Sequence, residues 1–381
     1  MGAILAMIVE ILEDLTEIPQ TRWDALVGDG NPFVSHGFLQ ALQETNCVGE
    51  DTGWEPHYGI LRNGQEICAL APLYKKYHSQ GEYNFDHQWA HAFERALGMP
   101  YYPKMLVASP FSPITGPRLL CGEDNHTRVS FAHALRAHAK EKHVSGLHVN
   151  FAQDHDIAAL RAAGFHVRMH HQYHWFNRNY ESFDAFLQSL NARKRKNIRK
   201  ERARLAQQGI THRWVTGGDI DPEDWDIFYR FYVDTYDRKW GTPYFTRACL
   251  DAFSKRITEN LVLIIAEISS TPIAAALYFW GPDCLYGRNW GSLARFRFLH
   301  FETCYYQAMD FAICHGLGRV EAGTQGEHKL LRGYEPVPVY SAHYLPEQRF
   351  HDALGQYLQK EYHQSQETQE LLTEYLPYKQ V

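Results

Sequence analysis

Apolar and polar positions along this chain repeat with two periods, and the switches between those periods predict helices and strands. An amphipathic helix follows Ser35, which is its expected N-cap. Residues 54–61 and 66–74 then alternate with a period of two around Asn63-Gly64, a turn sequence typical of a β-hairpin. The chain is therefore predicted to begin with a helix that is followed by paired strands.

The rest of the first half continues the alternation of helices and strands. The proline-rich passage 105–120 is predicted to be strand, loop and strand, because Pro110, Pro113 and Pro117 cannot lie in one regular element. Periodicity predicts helices at 85–97, 129–142 and 156–163 and strands at 146–151 and 165–176.

The second half repeats this order of elements with longer helices. A helix is predicted from the cap Ser182 to Gln208, and Gly209 should end it. The following elements are predicted as a strand at 212–216, helices within 222–257 broken at 241–243, a hairpin of 261–268 with 272–280, a strand at 284–290, a helix at 298–315, a strand at 320–323 and a tail helix from 346. The repeated order predicts an α/β (α+β) chain of two similar domains.

Length and composition agree with two soluble domains. A chain of 381 residues exceeds the usual size of one hydrophobic core, and we predict domains at 7–172 and 173–381, with Met7 as the natural start. The seven cysteines are scattered and never spaced Cys-x-x-Cys, which indicates reduced thiols and a cytoplasmic protein. No apolar run reaches membrane-spanning length, and a net charge of −6 gives no global attraction to nucleic acid.

The densest group of candidate catalytic residues follows the strand 320–323. Gln325, Glu327, His328, Lys329 and Arg332 bring together a proton acceptor, cations and an amide, which acyl transfer to an amine requires. We predict Glu327, His328 and Lys329 as catalytic, and Gln325 and Arg332 as substrate-binding. The alternative is a polar turn that caps the next element.

Two further segments of the second half carry candidate groups. Tyr286, Arg288 and Trp290 should share one face of a strand, where an arginine between two aromatic rings suits a carboxylate or phosphate. The alternative is an arginine at the edge of a core. Glu302, near the start of the helix 298–315, is predicted to be catalytic, whereas Cys304 lacks activating neighbours in sequence and is expected to pack.

A strongly basic stretch occupies 193–204, with eight cations against one acid. It is either a solvated helix face or a binding surface for an anionic donor. We predict that four of its residues bind donor phosphates: Arg195, Lys196, Arg199 and Lys200.

In the first half, polar side chains lie within apolar or proline-stiffened sequence, which predicts the wall of a substrate pocket or, alternatively, hydrogen-bonded core groups. These residues are Asp86, Trp89, Tyr101, Tyr102, Lys104, Thr115 and Arg118. The 22 histidines predict no metal site. His166, His170 and His174 share a strand face, but consecutive members are about 13 Å apart and cannot share an ion.

Four long segments resemble the FemAB-like family of N-acyltransferases. They are PYYPKMLVASPFSPITGPRLL (100–120), LYGRNWG (285–291), LHFETCYYQAM (299–309) and EAGTQGEHKLLRGYEP (321–336). The resemblance covers roughly residues 30–378. It implies two tandem GNAT-like domains, each with a mixed central sheet flanked by helices and arranged as a pseudo-dimer, and a distant similarity to the Fem aminoacyltransferases of peptidoglycan metabolism.

The function that this resemblance implies is transfer of an acyl or aminoacyl group to a small-molecule or peptide-like amine. The co-substrate would be acyl-CoA or aminoacyl-tRNA, without a tightly bound cofactor, and tRNA would then be a partner. The segment 291–298 lacks the glycines with which acetyl-CoA-dependent members hold the pyrophosphate, so both donors stay open. One alternative function is a non-catalytic module that binds tRNA or another nucleic acid through 193–204. The other is a metal-dependent hydrolase, which would require bound zinc or iron.

Overall fold

The computed structural model describes residues 9–28, 30–238, 241–293, 295–323 and 326–379. Met7 and Gln325 therefore lie outside the described residues. Within the described part, no helix is both long enough and apolar enough to cross a membrane.

The first half contains both helices and strands. In chain order its elements are β1 (Val9–Leu12), α1 (Gln20–Val27), α2 (His36–Glu44), β2 (Trp54–Pro56), β3 (Tyr58–Asn63), β4 (Glu66–Ala71), β5 (Leu73–Lys76), α3 (His87–Leu97), β6 (Lys104–Val107), α4 (Asn125–Glu141), β7 (Leu147–Ala152), α5 (Asp154–Ala162) and β8 (His166–Phe176). Ser35 caps α2 as predicted, since its hydroxyl accepts a hydrogen bond from the Phe38 N–H.

The second half adds longer helices and two irregular turns. Its elements are α6 (Phe183–Ser189), α7 (Ala192–Gln207), β9 (Ile210–Thr216), α8 (Pro222–Asp237), α9 (Arg247–Arg256), β10 (Leu261–Ile268), β11 (Thr271–Trp280), β12 (Cys284–Ser292), α10 (Leu299–Phe301), a π-helical turn (Glu302–Tyr306), α11 (Gln307–Cys314), β13 (Arg319–Glu321), a 3-10 turn (Glu327–Arg332), β14 (Glu335–Tyr344) and α12 (Gln348–Glu374).

The chain forms two compact units. The first unit comprises Met1–His170 and Pro338–Glu367, and the second comprises His171–Val337 and Thr368–Val381. The sequence analysis placed all of 173–381 in one domain, whereas the structure groups 338–367 with the first unit. The reason is that β14 pairs with β7, and α12 buries Leu354 and Leu358 in a cluster with residues of α3.

The first unit is built on a mixed sheet with strand order β2-β5-β6-β7-β14. Neighbours are antiparallel except β6 and β7, which are parallel. A smaller sheet of order β1-β3-β4 contains the predicted hairpin, in which Gly64 adopts a φ of 60° that suits glycine. Phe131 and Leu135 of α4 pack with Leu147 and Leu160 in the main core of this unit.

The second unit has strand order β8-β13-β12-β11-β10-β9, with β12 and β13 parallel and the other neighbours antiparallel. Its main core joins the aromatic side of α6 to α11 and to one face of the sheet. Each unit therefore has a mixed sheet flanked by helices, as expected.

Two helices differ from their predicted form. The helix predicted from Ser182 to Gln208 is broken at Leu190, because Asn191 caps α7 by accepting the Lys194 N–H, and its own N–H donates to the Pro377 carbonyl. The helix predicted at 298–315 contains the π-helical turn, which often marks a functional position.

Candidate active site

The parallel strands β12 and β13 pair over only a short length. Their register joins Cys284–Tyr286 to Arg319–Glu321, and β12 continues beyond this pairing while remaining hydrogen-bonded to β11 on its other side. Gly287 and the residues that follow it therefore run on past the end of β13.

β12 also carries a bulge, which corrects the predicted alternation of its side chains. Tyr278 of β11 lies opposite Gly287, but Leu277 lies opposite Asn289, so Arg288 is the extra residue. Tyr286 and Trp290 consequently lie on opposite faces, and the prediction that they share a face with Arg288 is wrong.

A pocket of about 90 Å³ lies where β12 runs past β13. It is lined by Ala276, Leu277, Tyr278, Gly287, Arg288, Asn289, Trp290, His300, Cys304, Tyr305 and Ala322. The Trp290 and His300 rings meet edge to face, with centroids 5.4 Å apart. The pocket therefore combines an aromatic wall with the strand backbone and the π-helical turn.

A tyrosine and a histidine are hydrogen-bonded beside this pocket. The Tyr305 hydroxyl is 2.9 Å from Nε2 of His328, an exposed residue of the 3-10 turn. Partial burial lowers the pKa of His328, and the cations Arg332 and Lys329 lower it further. Burial raises the pKa of Tyr305. Near pH 7 the site thus contains a neutral imidazole and a protonated phenol.

Lys329 is buried under the same turn. Its Nζ donates to the carbonyl oxygens of Ala322, at 2.6 Å, and Gly323, at 3.0 Å. Burial lowers the pKa of Lys329 to about 7, while Cys304 opposes the shift. A substantial neutral fraction of this amine therefore exists at neutral pH.

Arg332 holds the turn in place. Both carboxylate oxygens of Glu201 on α7 lie 3.2 Å from its Nη2, and its Nη1 donates to the His328 carbonyl at 2.8 Å. Its guanidinium also lies 3.5 Å from the centroid of the Phe301 ring. These contacts position His328. They also occupy the Arg332 guanidinium, which was predicted to bind substrate.

Glu302 is buried in the π-helical turn and already has partners. Its carboxylate accepts from Arg202 at 3.0 Å and from Gln307 at 2.8 Å. Burial raises its pKa, although Arg202 opposes this shift. Glu302 does not line the pocket, so its contacts fit a structural anchor between this turn and α7 better than the predicted catalytic role.

The first unit contains a separate buried cluster of charged and polar groups. Lys104 Nζ donates to Glu82 at 2.8 Å and also to Asp86. The Tyr101 hydroxyl lies 3.1 Å from both Asp86 and Nε2 of His148. Burial favours a higher pKa for Asp86, but Lys104, His148 and the hydrogen bonds outweigh it, and the pKa is lowered.

This cluster extends across the sheet to β14. His148 Nδ1 lies 2.8 Å from Nδ1 of His343, and the Trp89 ring packs against His343 at 4.8 Å. Burial lowers the pKa of His148 to about 3. The Tyr102 hydroxyl is 3.5 Å from Asp86. The predicted residues Asp86, Trp89, Tyr101, Tyr102 and Lys104 are thus brought together, mostly as partners of one another.

One group of acidic and histidine side chains has metal-ligand proximity. Ligand atoms of Glu13, Glu55 and His57 lie within 4.8 Å of one another. Glu55 also accepts a hydrogen bond from Tyr77 at 2.6 Å and lies 3.7 Å from Lys75 Nζ. These partners compete with any ion for the Glu55 carboxylate.

The model of the FemAB-like family, described as peptidoglycan biosynthesis/recognition, matches residues 14–380. This chain belongs to the FemAB-like family. The resemblance drawn from sequence segments is therefore confirmed.

Solved structures share the fold of this FemAB-like protein at low sequence identity. FemX matches with a TM-score of 0.55 and 13% identity over 91% of this chain and 100% of that one. L-PGS from Bacillus licheniformis matches with a TM-score of 0.52 and 11% identity over 84% and 93%. These two matches confirm the expected fold class. No curated protein matches the chain in sequence.

The remaining sequence-predicted residues of the FemAB-like protein are scattered. Arg118 is buried and donates to the carbonyl oxygens of Asn150, Ile114 and Pro117 at 2.6–3.0 Å, which makes it a scaffold residue. Thr115 contributes its carbonyl oxygen to Asn31 at 3.2 Å. Glu327 is exposed on the turn beside His328.

Three of the four predicted phosphate-binding residues lie on the outer side of α7, because Ile198 and Leu205 are its buried residues, and Arg195 flanks the buried side. Lys196, Arg199 and Lys200 are exposed, and Arg199 forms an ion pair with Asp184 at 2.9 Å. Arg195 is half-buried and donates to the Leu190 carbonyl at 3.1 Å.

Sequence analysis missed Tyr305 of the pocket and Glu82, His148 and His343 of the first-unit cluster. Tyr305 stands in the quoted segment 299–309, but a regular helix gives no reason to prefer it to its neighbours. The π-helical turn, with its extra residue, changes which side chains share a face.

Proposed function

We propose that this protein is an N-acyltransferase. It moves an acyl or aminoacyl group from an activated donor, acyl-CoA or aminoacyl-tRNA, to an amine, and the reaction occurs in the second unit. The observation that carries the proposal is the pocket beside β12, with Tyr305 and His328 hydrogen-bonded at its wall and Lys329 bonded to the carbonyl of its lining residue Ala322.

The strand geometry suits an extended donor. Because β12 runs past the end of β13, the backbone from Gly287 onward offers a strand-like edge along which a chain of amide groups can lie. The transferred carbonyl would then enter the pocket beside Tyr305. This arrangement supports binding of acyl-CoA, whose thioester is carried on an extended chain with amide groups. An aminoacyl-tRNA carries its ester on a ribose, so the strand edge gives that donor no such support.

The acid–base groups fit the steps of transfer. The amine nitrogen bonds to the acyl carbon, and the amine proton passes to a neutral acceptor, for which His328 and Lys329 are suited. The protonated Tyr305 phenol can donate to the oxyanion of the tetrahedral intermediate. Collapse of the tetrahedral intermediate breaks the bond between the acyl carbon and the donor's sulfur or oxygen. The leaving group then takes up the proton that the acceptor received from the amine. Glu327 stays a third candidate acceptor.

The exposed cations of α7 supply a surface for the donor's phosphates. This helix carries Arg195, Lys196, Arg199 and Lys200, and it is tied through Glu201 and Arg332 to the 3-10 turn that carries His328.

We propose that the acceptor is a peptidoglycan-related amine, which the description of the family supports. The first-unit residues Asp86, Tyr101, Tyr102 and Lys104 mainly bind one another, and a substrate-binding role for them stays a prediction. A non-catalytic tRNA-binding module is the alternative that the exposed cations favour.

The proposal is tested by mixing the protein with acyl-CoA or aminoacyl-tRNA and a muropeptide amine, and detecting the N-acylated product by mass spectrometry. His328→Ala and Glu327→Gln should each keep the melting temperature within a few degrees, while a loss of turnover of about 10²-fold marks the residue that accepts the proton. Binding of tRNA without any product from either donor would favour the non-catalytic alternative.

A further inference from the structure

We infer that the pocket beside β12 accepts a short, uncharged acyl group and excludes both long acyl chains and aminoacyl groups with a free ammonium. This inference rests on the proposed function and specifies the group that is transferred. It follows from two features of the pocket, its size and the charges of its lining.

The size of the pocket limits the length of the group. A volume of about 90 Å³ is smaller than the cavity of about 150 Å³ that has held benzene. An acyl group of a few heavy atoms fits such a space, and an octanoyl chain does not.

The walls of the pocket are fixed by their own contacts. Tyr278 is buried and donates its hydroxyl proton to the Thr303 carbonyl at 2.9 Å. Trp290 is braced edge to face by His300. At Gly287 a Cβ atom would already lie 3.2 Å from the Tyr278 ring, so this side is closely packed. On this inner side the pocket therefore cannot lengthen without moving the buried ring of Tyr278.

The charges around the pocket disfavour an ammonium group. Arg288 and His300 line it, and none of the described lining residues is a carboxylate. The nearby elements contribute Glu302, Glu321 and Glu327. The first two are bonded to Arg202 at 3.0 Å and to Arg319 at 3.1 Å, and Glu327 is exposed to solvent and does not line the pocket. An ammonium that entered would lose its hydration without gaining an ionic partner. An uncharged acyl group would instead bury its carbon atoms against Trp290.

The inference is tested with three thioesters of N-acetylcysteamine, which lack any nucleotide and so do not depend on how the donor's phosphates are bound. Propionyl and glycyl thioesters have the same number of heavy atoms and differ in charge, and the octanoyl thioester is long. Titrations followed by ligand-observed NMR should show the propionyl thioester binding at least about tenfold more tightly than either of the others.

Two variants show whether the probes occupy this pocket. Trp290→Ala should admit the octanoyl thioester, whereas the matched control Trp280→Ala should not, because Trp280 packs on Phe311 of the same unit and does not line the pocket. Ala276→Val, which narrows the pocket, should weaken binding of the propionyl thioester severalfold. Melting temperatures check that each variant is folded.

Equal affinity for the glycyl or octanoyl thioester would overturn the inference and leave the proposed function standing, because transfer is measured separately with complete donors. Absence of binding by all three probes, or binding unaffected by Ala276→Val, would also overturn it. Failure of the proposed function has a different signature, which is no N-acylated product from any complete donor.

Discussion

Both units contain a parallel pair of strands next to an antiparallel neighbour, but the two pairs end differently. In the second unit β12 bulges at Arg288 and runs past β13, and a pocket remains beside it. In the first unit Gly116 bridges to Ala152 at the end of β7, and Arg118 donates to the Asn150 carbonyl. The corresponding gap in the first unit is therefore filled by the chain itself.

The two units also differ in the partners of a buried lysine. Lys104 of the first unit is ion-paired, and although burial favours a lower pKa, Glu82 and Asp86 outweigh it and raise the pKa. Lys329 of the second unit is bonded to backbone carbonyls, and its pKa is lowered. A dense group of polar residues therefore does not by itself identify a reactive site, since Lys104 is kept charged by two carboxylates whereas Lys329 can exchange a proton near pH 7.

Loss of the first-unit lysine should have the largest effect on stability. Lys104→Met leaves Glu82 and Asp86 buried without their cation, which should lower the free energy of unfolding by about 3–5 kcal/mol. Lys329→Met removes two hydrogen bonds to carbonyls and should lower it by about 1–3 kcal/mol. Urea denaturation of the two variants measures both values. Equal losses would remove the distinction between the two clusters.

Much of the fold could be predicted from the sequence because its signals are local. The cap Ser35 and the turn Asn63-Gly64 depend on residues that are neighbours in the chain, and the structure confirms them, whereas the strands predicted at 54–61 and 66–74 are each divided between two sheets. The break between α6 and α7 was missed because the apolar stripe continues across it, while Asn191 is fixed by a contact with Pro377, far along the chain.

The site was less predictable because its geometry depends on pairing and on one irregular turn. The bulge at Arg288 exists only relative to β11, so no pattern within β12 reveals that Tyr286 and Trp290 lie on opposite faces. Arg118 looks like a ligand-binding arginine in sequence, since the three carbonyl oxygens that bind it are backbone groups common to every residue.

The next largest effect should be on catalysis at Tyr305. Tyr305→Phe removes the proposed oxyanion donor and the partner of His328, and turnover should fall about 10²-fold. Tyr334→Phe is the matched control, because Tyr334 is buried in the same core with its ring 5.5 Å from Tyr305 and does not line the pocket. Turnover and melting temperature are measured for both. An equal loss of turnover in the control would contradict a catalytic role.

The free energy of unfolding should depend on pH through two buried lysines, one in each unit. Burial lowers the pKa of both Lys76 and Lys329 from 10.5 to about 7. Between pH 7 and pH 10.5 the unfolded chain therefore holds protons that the folded chain has released, and the free energy of unfolding should rise with pH across this window. Methionine at either position should reduce this rise.

Turnover distinguishes the two positions. If Lys329 accepts the proton, turnover should rise to a plateau with an apparent pKa about 7, and a residual rate in Lys329→Met should lack this inflection. Lys76→Met should keep it. If the pH profile of turnover for Lys329→Met keeps an inflection, and that inflection lies below the ordinary histidine value of 6.5, the proton acceptor is His328 instead.

The smallest expected effect concerns the basic face of α7. Changing Arg195, Lys196, Arg199 and Lys200 together to glutamate should leave the protein folded, because these residues are exposed or half-buried and the ion pair of Arg199 with Asp184 is at the surface. Binding of tRNA and binding of CoA are measured separately as a function of salt concentration. For the donor that uses this face, affinity at low salt should weaken about tenfold or more, and the salt dependence of its binding should become shallower.

The control variant is Lys140→Glu with Lys142→Glu, at the exposed end of α4 in the first unit, which should have little effect on binding. Unchanged affinity for both donors would remove α7 from the donor site, and a loss of folding would show that these cations are structural.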